Sequence, residues 1–151
     1  MDNSAGATVI ALAIQKGNSV GAANYADVVA GVGRTIAEYC QALDDGRAED
    51  VVATFCSDGV IEIAGRELST GHDALRNAYA SYRPERPQRH IVLNTMVVDW
   101  SSDRASTRSD LLVVGKGEDG WKVQLVGRYR DSLRFEAGQW RFSHRQLTFQ
   151  E

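Results

Sequence analysis

The stretch Arg89-His90-Ile91-Val92-Leu93-Asn94-Thr95-Met96-Val97-Val98 limits the fold more than any other part of the chain. It is apolar and β-branched, so it reads as a strand, yet it carries a histidine and an asparagine. Alternation puts His90, Val92, Asn94 and Met96 on one side and Ile91, Leu93, Thr95 and Val97 on the other. Apolar residues dominate both sides, which predicts a strand buried on both faces. Polar groups in such a strand need partners inside the protein. The strand is therefore expected to floor a pocket in which an acid or a hydroxyl meets His90.

Upstream, the hydrophobic period is helical. Asn24-Tyr25-Ala26-Asp27 reads as an N-cap followed by an acid three positions on, and Val28, Val29, Val32, Ile36, Cys40 and Leu43 follow at helical spacing up to a stop at Gly46. A second helix is expected over 48–55. Ser57-Asp58-Gly59 reads as a turn and Val60-Ile61-Glu62-Ile63 as a strand. A third helix is expected over 72–82, ended by Pro84 and Pro87. Beyond Arg89 the pattern is wholly β, with strands over about 89–100, 104–116, 121–135 and 139–149 separated by Gly-, Asp- and Ser-rich turns. Three helices followed by a meander is an α+β plan. It predicts a cone-shaped barrel, a curved antiparallel sheet wrapped around three N-terminal helices. Residues 1–23, rich in Ala, Gly, Asn and Ser, are expected to form an arm with one ordered piece at Val9–Gln15, leaving 24–151 as the domain.

A length of 151 residues suits one domain with a real core, and a net charge of −3 argues against a dedicated nucleic-acid binder. Arg83, Arg86 and Arg89 form the one dense basic group, and prolines interrupt it. No apolar run approaches the ~20 residues of a membrane span. The first residues lack the cationic start of a secretory leader. Two cysteines, Cys40 and Cys56, make no disulfide framework, so a cytoplasmic, reduced chain is the expectation. His72, His90 and His144 do not show metal-ligand spacing. His72-Asp73 reads as a helix start.

Four segments, in this order and spacing, resemble one family: Tyr39-Cys40-Gln41-Ala42-Leu43-Asp44; Phe55-Cys56-Ser57-Asp58-Gly59-Val60; His90-Ile91-Val92-Leu93-Asn94; and Gly127-Arg128-Tyr129-Arg130-Asp131 continuing to Gly138-Gln139-Trp140-Arg141-Phe142. Together they are similar to the SnoaL-like branch of the nuclear transport factor 2-like superfamily over roughly 34–148. Members with this His and Asp include cofactor-free dehydratases, a dehydrochlorinase and bile acid dehydratases. Related folds include scytalone dehydratase, ketosteroid isomerase, limonene epoxide hydrolase and polyketide cyclases, and non-catalytic members exist.

Asp44 sits with Asp45 at a helix C-terminus, where the backbone dipole disfavours an anion. Such an acid needs a cationic or hydrogen-bonding partner, and His90 could supply one. A carboxylate on one imidazole nitrogen fixes the tautomer and stabilises the imidazolium, leaving the other nitrogen to take a proton. The residues alone favour a solvated helix-end acid and a satisfied core histidine; the resemblance implies the pair. It also implies Tyr39 as an acid or oxyanion donor, although five helical residues turn about 140° and do not put Tyr39 and Asp44 on one face. Asn94 is a candidate substrate contact or a structural amide. Tyr129 and Arg145 lie on the last two strands, and either could reach the pocket. Trp100, Trp121 and Trp140 read as packing residues.

Two motif matches fail on context. Gly17-Asn18-Ser19-Val20-Gly21 fits a nucleophile elbow but has too little chain before it for an α/β-hydrolase. Gly115-Lys116-Gly117-Glu118-Asp119-Gly120 fits a dinucleotide fingerprint but joins two strands. The expectation is a cofactor-independent lyase or isomerase, with no metal, acting on a small hydrophobic oxygenated molecule such as a steroid, polyketide or terpenoid. Its rivals are a polyketide cyclase or epoxide hydrolase on the same scaffold, and a non-catalytic binding or assembly domain. The apolar strands around 111–114 and 123–126 predict a homodimer or homotrimer.

Overall fold

The computed structural model describes residues 24–150. The arm expected at 1–23, its ordered piece and the Gly17–Gly21 motif lie outside the described residues.

Helix α1, Tyr25–Asp44, starts as its sequence dictates: the Asn24 side chain accepts the Asp27 amide at 3.0 Å. Its buried stripe is Val28, Val32, Thr35, Ile36, Tyr39, Cys40 and Leu43, one helical face. Gly31 lies on that face because the Trp140 indole occupies the space a Cβ would need. The Thr35 hydroxyl donates to the Trp140 carbonyl at 2.7 Å, so helix and sheet are joined by shape and by a bond. The helix ends where Gly46 takes φ +67°, a conformation glycine adopts without cost. Helix α2 is Ala48–Ala53, two residues shorter than expected because Phe55 already begins a strand. Helix α3, His72–Ala80, buries Leu75 and Tyr79.

The sheet has six strands: β1 Phe55–Ile63, β2 Arg66–Thr70, β3 Gln88–Trp100, β4 Arg104–Gly117, β5 Gly120–Glu136 and β6 Gln139–Phe149. Their order is β2-β1-β6-β5-β4-β3. The α+β class stands, with helices packed against one face of a curved sheet. Three expectations are corrected. The sheet is not closed into a barrel. It is not wholly antiparallel, since β1 runs parallel to β6. It also contains β2, a short and exposed strand whose Arg66-Glu67-Leu68-Ser69-Thr70 has too little apolar content to announce itself.

The strand buried on both faces is corrected too. β3 is an edge strand, and Ile91, Met96 and Val98 are all exposed. The buried strands are its neighbours. In β4 the alternate residues Ala105, Thr107, Ser109, Leu111 and Val113 face inward, and in β5 Tyr129, Asp131 and Leu133 do. These inner rows, the helix stripe, Phe55 and Phe142 make the core.

Candidate functional site

An edge strand presents unpaired amides on its outer side. At His90 that donor is used: its backbone N–H gives a hydrogen bond to Asp44 Oδ2 at 2.8 Å. The ring Nδ1–H donates to the other oxygen, Asp44 Oδ1, at 2.6 Å. Gln88 Nε2 adds a third donor to Oδ1 at 3.2 Å and a fourth bond to the Tyr82 hydroxyl at 2.6 Å. Three donors thus answer the acid that the helix end disfavours, and its side chain is only 4% exposed. The bond to Nδ1 leaves Nε2 as the free nitrogen. Nε2 has no protein partner among the described residues and is not sealed in the core.

His90 lines a pocket of about 630 Å³ between α1 and β3. Its walls are mostly apolar: Ile36, Ala37, Cys40, Val92 and Val114, with Trp121 among the lining residues. Trp121 was expected only to pack; it is half exposed and belongs to the pocket. Trp140 packs in the core as expected, and Trp100 stacks near Tyr25.

The other candidates divide between two further places. Asn94 leaves the pocket. A β-bulge between Leu93 and Met96 puts it at φ +52° and breaks the alternation, so Thr95 takes its place on the pocket side. The Asn94 amide instead donates to Asp110 at 2.9 Å on the outer face, and Asp110 also accepts from Arg128. No composition signal announces a bulge in a run of this kind.

Tyr39, Tyr129 and Arg145 come together deep in the core. The Arg145 guanidinium carbon lies 3.7 Å from the Tyr129 ring centre, 4.2 Å from Tyr39 and 4.3 Å from Phe142. Arg145 is fully buried, and its Nε stands 3.3 Å from Asp131 Oδ1 without hydrogen-bond geometry. The Tyr39 and Tyr79 hydroxyls share a bond at 3.0 Å. Burial pushes the Tyr39 and Tyr129 hydroxyls well above the usual phenol range. It also pushes the Asp131 carboxyl up to about 6, outweighing the opposing Arg145 charge. Burial works against the Arg145 cation too, but Asp131 and the surrounding rings hold it firmly protonated.

Cys40 connects the two groups. It lines the pocket and feels the charges of both Arg145 and Asp44, and burial pushes its thiol up to about 11. Gln88 and Asp131 were not singled out from the sequence. Alternation could have found both: Gln88 shares a face with His90 and Val92, and Asp131 with Tyr129 and Leu133. His72 begins α3 and its Nε2–H donates to the Phe55 carbonyl at 3.0 Å. Gly115–Gly120 turns the β4–β5 hairpin. Among the described residues no group of three or more His, Cys, Asp or Glu is placed to hold a metal ion, and no helix is long and apolar enough to cross a membrane.

An open α+β cone, with an imidazole lining an apolar pocket and a carboxylate bonded behind it, defines a class of small proteins. Residues 25–146 match the SnoaL-like domain, and the chain belongs to that family. Solved structures share the fold. A protein of unknown function from Mycobacterium tuberculosis is 26% identical, with a TM-score of 0.76 over 82% of this chain and 72% of that one. A protein from Catenulispora acidiphila, solved in complex with S-DNPA, is 25% identical, with a TM-score of 0.73 over 82% and 94%. A candidate scytalone dehydratase from Novosphingobium aromaticivorans is 24% identical, with a TM-score of 0.72 over 82% and 85%. No curated protein matches the chain.

Proposed function

We propose that this protein is a cofactor-independent lyase or isomerase that removes a proton from a small, hydrophobic, oxygenated molecule. The observation that carries the reading is the 2.6 Å bond from His90 Nδ1 to Asp44, on a histidine whose other nitrogen has no partner among the described residues and whose ring lines an apolar pocket. In this reading His90 Nε2 takes a proton from carbon beside an activating group. Asp44 then stabilises the imidazolium, and Gln88 keeps the carboxylate in place. A mostly apolar wall strengthens each interaction with developing charge.

Asn94 has no part in this mechanism, because its amide is engaged on the outer face. Tyr39, Tyr129 and Arg145 stand behind Cys40, where Asp131 balances the Arg145 cation and the group braces the pocket wall. They are positioning residues in this scheme. The ligand-bound Catenulispora relative lends support to a binding pocket on this scaffold. The chain is further proposed to work in the cytoplasm as a homo-oligomer.

The test begins with a thermal-shift screen of steroids, aromatic polyketide fragments and terpenoid alcohols. For a compound that binds and turns over, His90→Ala is expected to cut turnover by about 10²–10⁴-fold while leaving binding within a few-fold. Turnover that survives His90→Ala would refute the base, and a cyclase or hydrolase using another acid would then be favoured. Binding without turnover in the wild-type protein would leave a carrier domain.

A further inference from the structure

The wall of the pocket is mostly apolar, yet one permanently charged side chain, Arg89, lines it next to His90. Arg89 is exposed as well, so it marks where the pocket opens to solvent. It donates to the Gln88 carbonyl at 2.6 Å and has no ion-pair partner among the described residues. Arg83 and Arg86, on the loop that leads into β3, are exposed and equally unpaired among the described residues. Lys116 joins them: its backbone N–H donates to the Pro87 carbonyl at 2.9 Å, which brings the β4–β5 hairpin against the loop. Four cations thus gather at the start of β3, against two exposed acids in the same segments, Glu85 and Glu118. Two further acids of the neighbouring turns are taken, Asp45 by Arg47 and Asp119 by Lys122. The chain as a whole is net −3, so this corner runs against its overall sign.

The loop is also held in place. Pro84 and Pro87 each fix a φ angle in it, and Gln88 ties its end to Asp44 and to the Tyr82 hydroxyl. Cations on a braced loop lose little freedom when they meet an anion. They also repel one another until one arrives. We infer that the pocket takes an amphipathic small molecule. Its apolar body lies between α1 and β3, and an acidic group, a carboxylate, sulfonate or phosphate, meets the Arg89 guanidinium where the pocket opens. Arg83, Arg86 and Lys116 draw that group in, and Arg89 bonds it. A concave site of about 630 Å³ suits a small molecule better than a membrane surface, which needs its apolar groups on a convex one. The assignment deepens the function proposed above by naming a substrate class. It rests on the pocket as the substrate site and not on His90 acting as a base.

The test uses two fluorescent probes that share an aromatic body and differ in charge, anilinonaphthalene sulfonate and the neutral phenylnaphthylamine. The wild type is expected to bind the sulfonate about tenfold more tightly, a preference that shrinks as salt rises. Arg89→Ala is expected to remove most of that preference while leaving the neutral probe within about twofold, and Arg89→Lys to keep part of it. Arg83→Ala/Arg86→Ala is expected to weaken the sulfonate about two- to threefold, chiefly at low salt. Ala37→Trp, which fills the pocket from α1, is expected to exclude both probes. Circular dichroism shows whether each variant is folded, and the salt-dependent preference of the wild type decides if one is not. Equal affinity for the two probes, a preference untouched by Arg89→Ala, sulfonate binding that survives Ala37→Trp, or a wild type that takes neither probe overturns the inference. So does cosedimentation with vesicles of equal parts phosphatidylcholine and phosphatidylglycerol that is lost in the arginine variants, which would assign the cations to a membrane surface. Turnover surviving His90→Ala would refute the base and leave this assignment standing; equal affinity for the probes would do the reverse.

Discussion

Two carboxylates, Asp44 and Asp131, each sit beside a basic side chain in this molecule, and they are held in opposite ways. Asp44 accepts three hydrogen bonds and backs His90, whose ring lines a pocket. Asp131 is sealed in the core beside Arg145, and neither its oxygens nor the three guanidinium nitrogens make a hydrogen bond with any described residue. The first acid is fixed by geometry, the second by charge and packing. A group fixed by geometry can hand its effect to a neighbouring ring that reaches outward. A group fixed by charge alone contributes a field, at a cost to stability that the surrounding rings only partly offset.

The contrast breaks first, and hardest, at Arg145. Arg145→Ala leaves the Asp131 charge buried and alone, and is expected to cost about 3–5 kcal/mol in denaturant unfolding. Arg145→Met combined with Asp131→Leu removes both charges and is expected to recover most of that loss. If Arg145→Ala costs under about 1 kcal/mol, the core pair is not an ion pair in solution.

The second prediction concerns pH. A folded-state pKa of about 6 for Asp131 lies above its ordinary 3.8, so the fold prefers the protonated acid. That preference stabilises the protein fully below about pH 4 and is lost as pH rises through about 6, a change on the order of 3 kcal/mol. Stability of the wild type relative to Asp131→Asn is expected to fall over this window. A flat difference between the two proteins would show that Asp131 titrates normally.

Next comes Asp44→Ala, expected to cost about 2 kcal/mol, because it strands the His90 amide and frees Gln88. Asp44→Asn keeps an acceptor and should cost less in the same unfolding measurement. Equal losses from the two substitutions would show that the charge, not the acceptor, holds the start of β3.

The smallest effect is expected at the bulge. Asn94→Ala should cost about 1 kcal/mol through φ strain and the lost Asp110 contact, and Asn94→Gly should cost about half of that. Equal losses would show that the amide bond, not the backbone, matters there.

Legibility in the sequence follows the same division. Helix α1, its Asn24 cap and the four long strands were readable, because each depends on local period and punctuation. Asp44 was readable as an acid at odds with its helix end, and its partner was the histidine of the strand it touches. What was hidden is non-local or irregular. Thr95 replaces Asn94 because of one extra residue in a strand. Tyr39 joins Arg145 and not His90 because the last turn of α1 points its two polar residues toward different neighbours. The parallel pairing of β1 with β6 depends on contacts more than eighty residues apart, as from Ile61 to Arg145.

One consequence follows from the way Asp44 grips the start of β3. The amide it covers is also the place where a foreign strand could attach and lengthen the sheet. Removing that carboxylate would therefore do more than undo the proton transfer proposed above. It would leave a sticky margin on the molecule, and the same substitution should also make the protein clump.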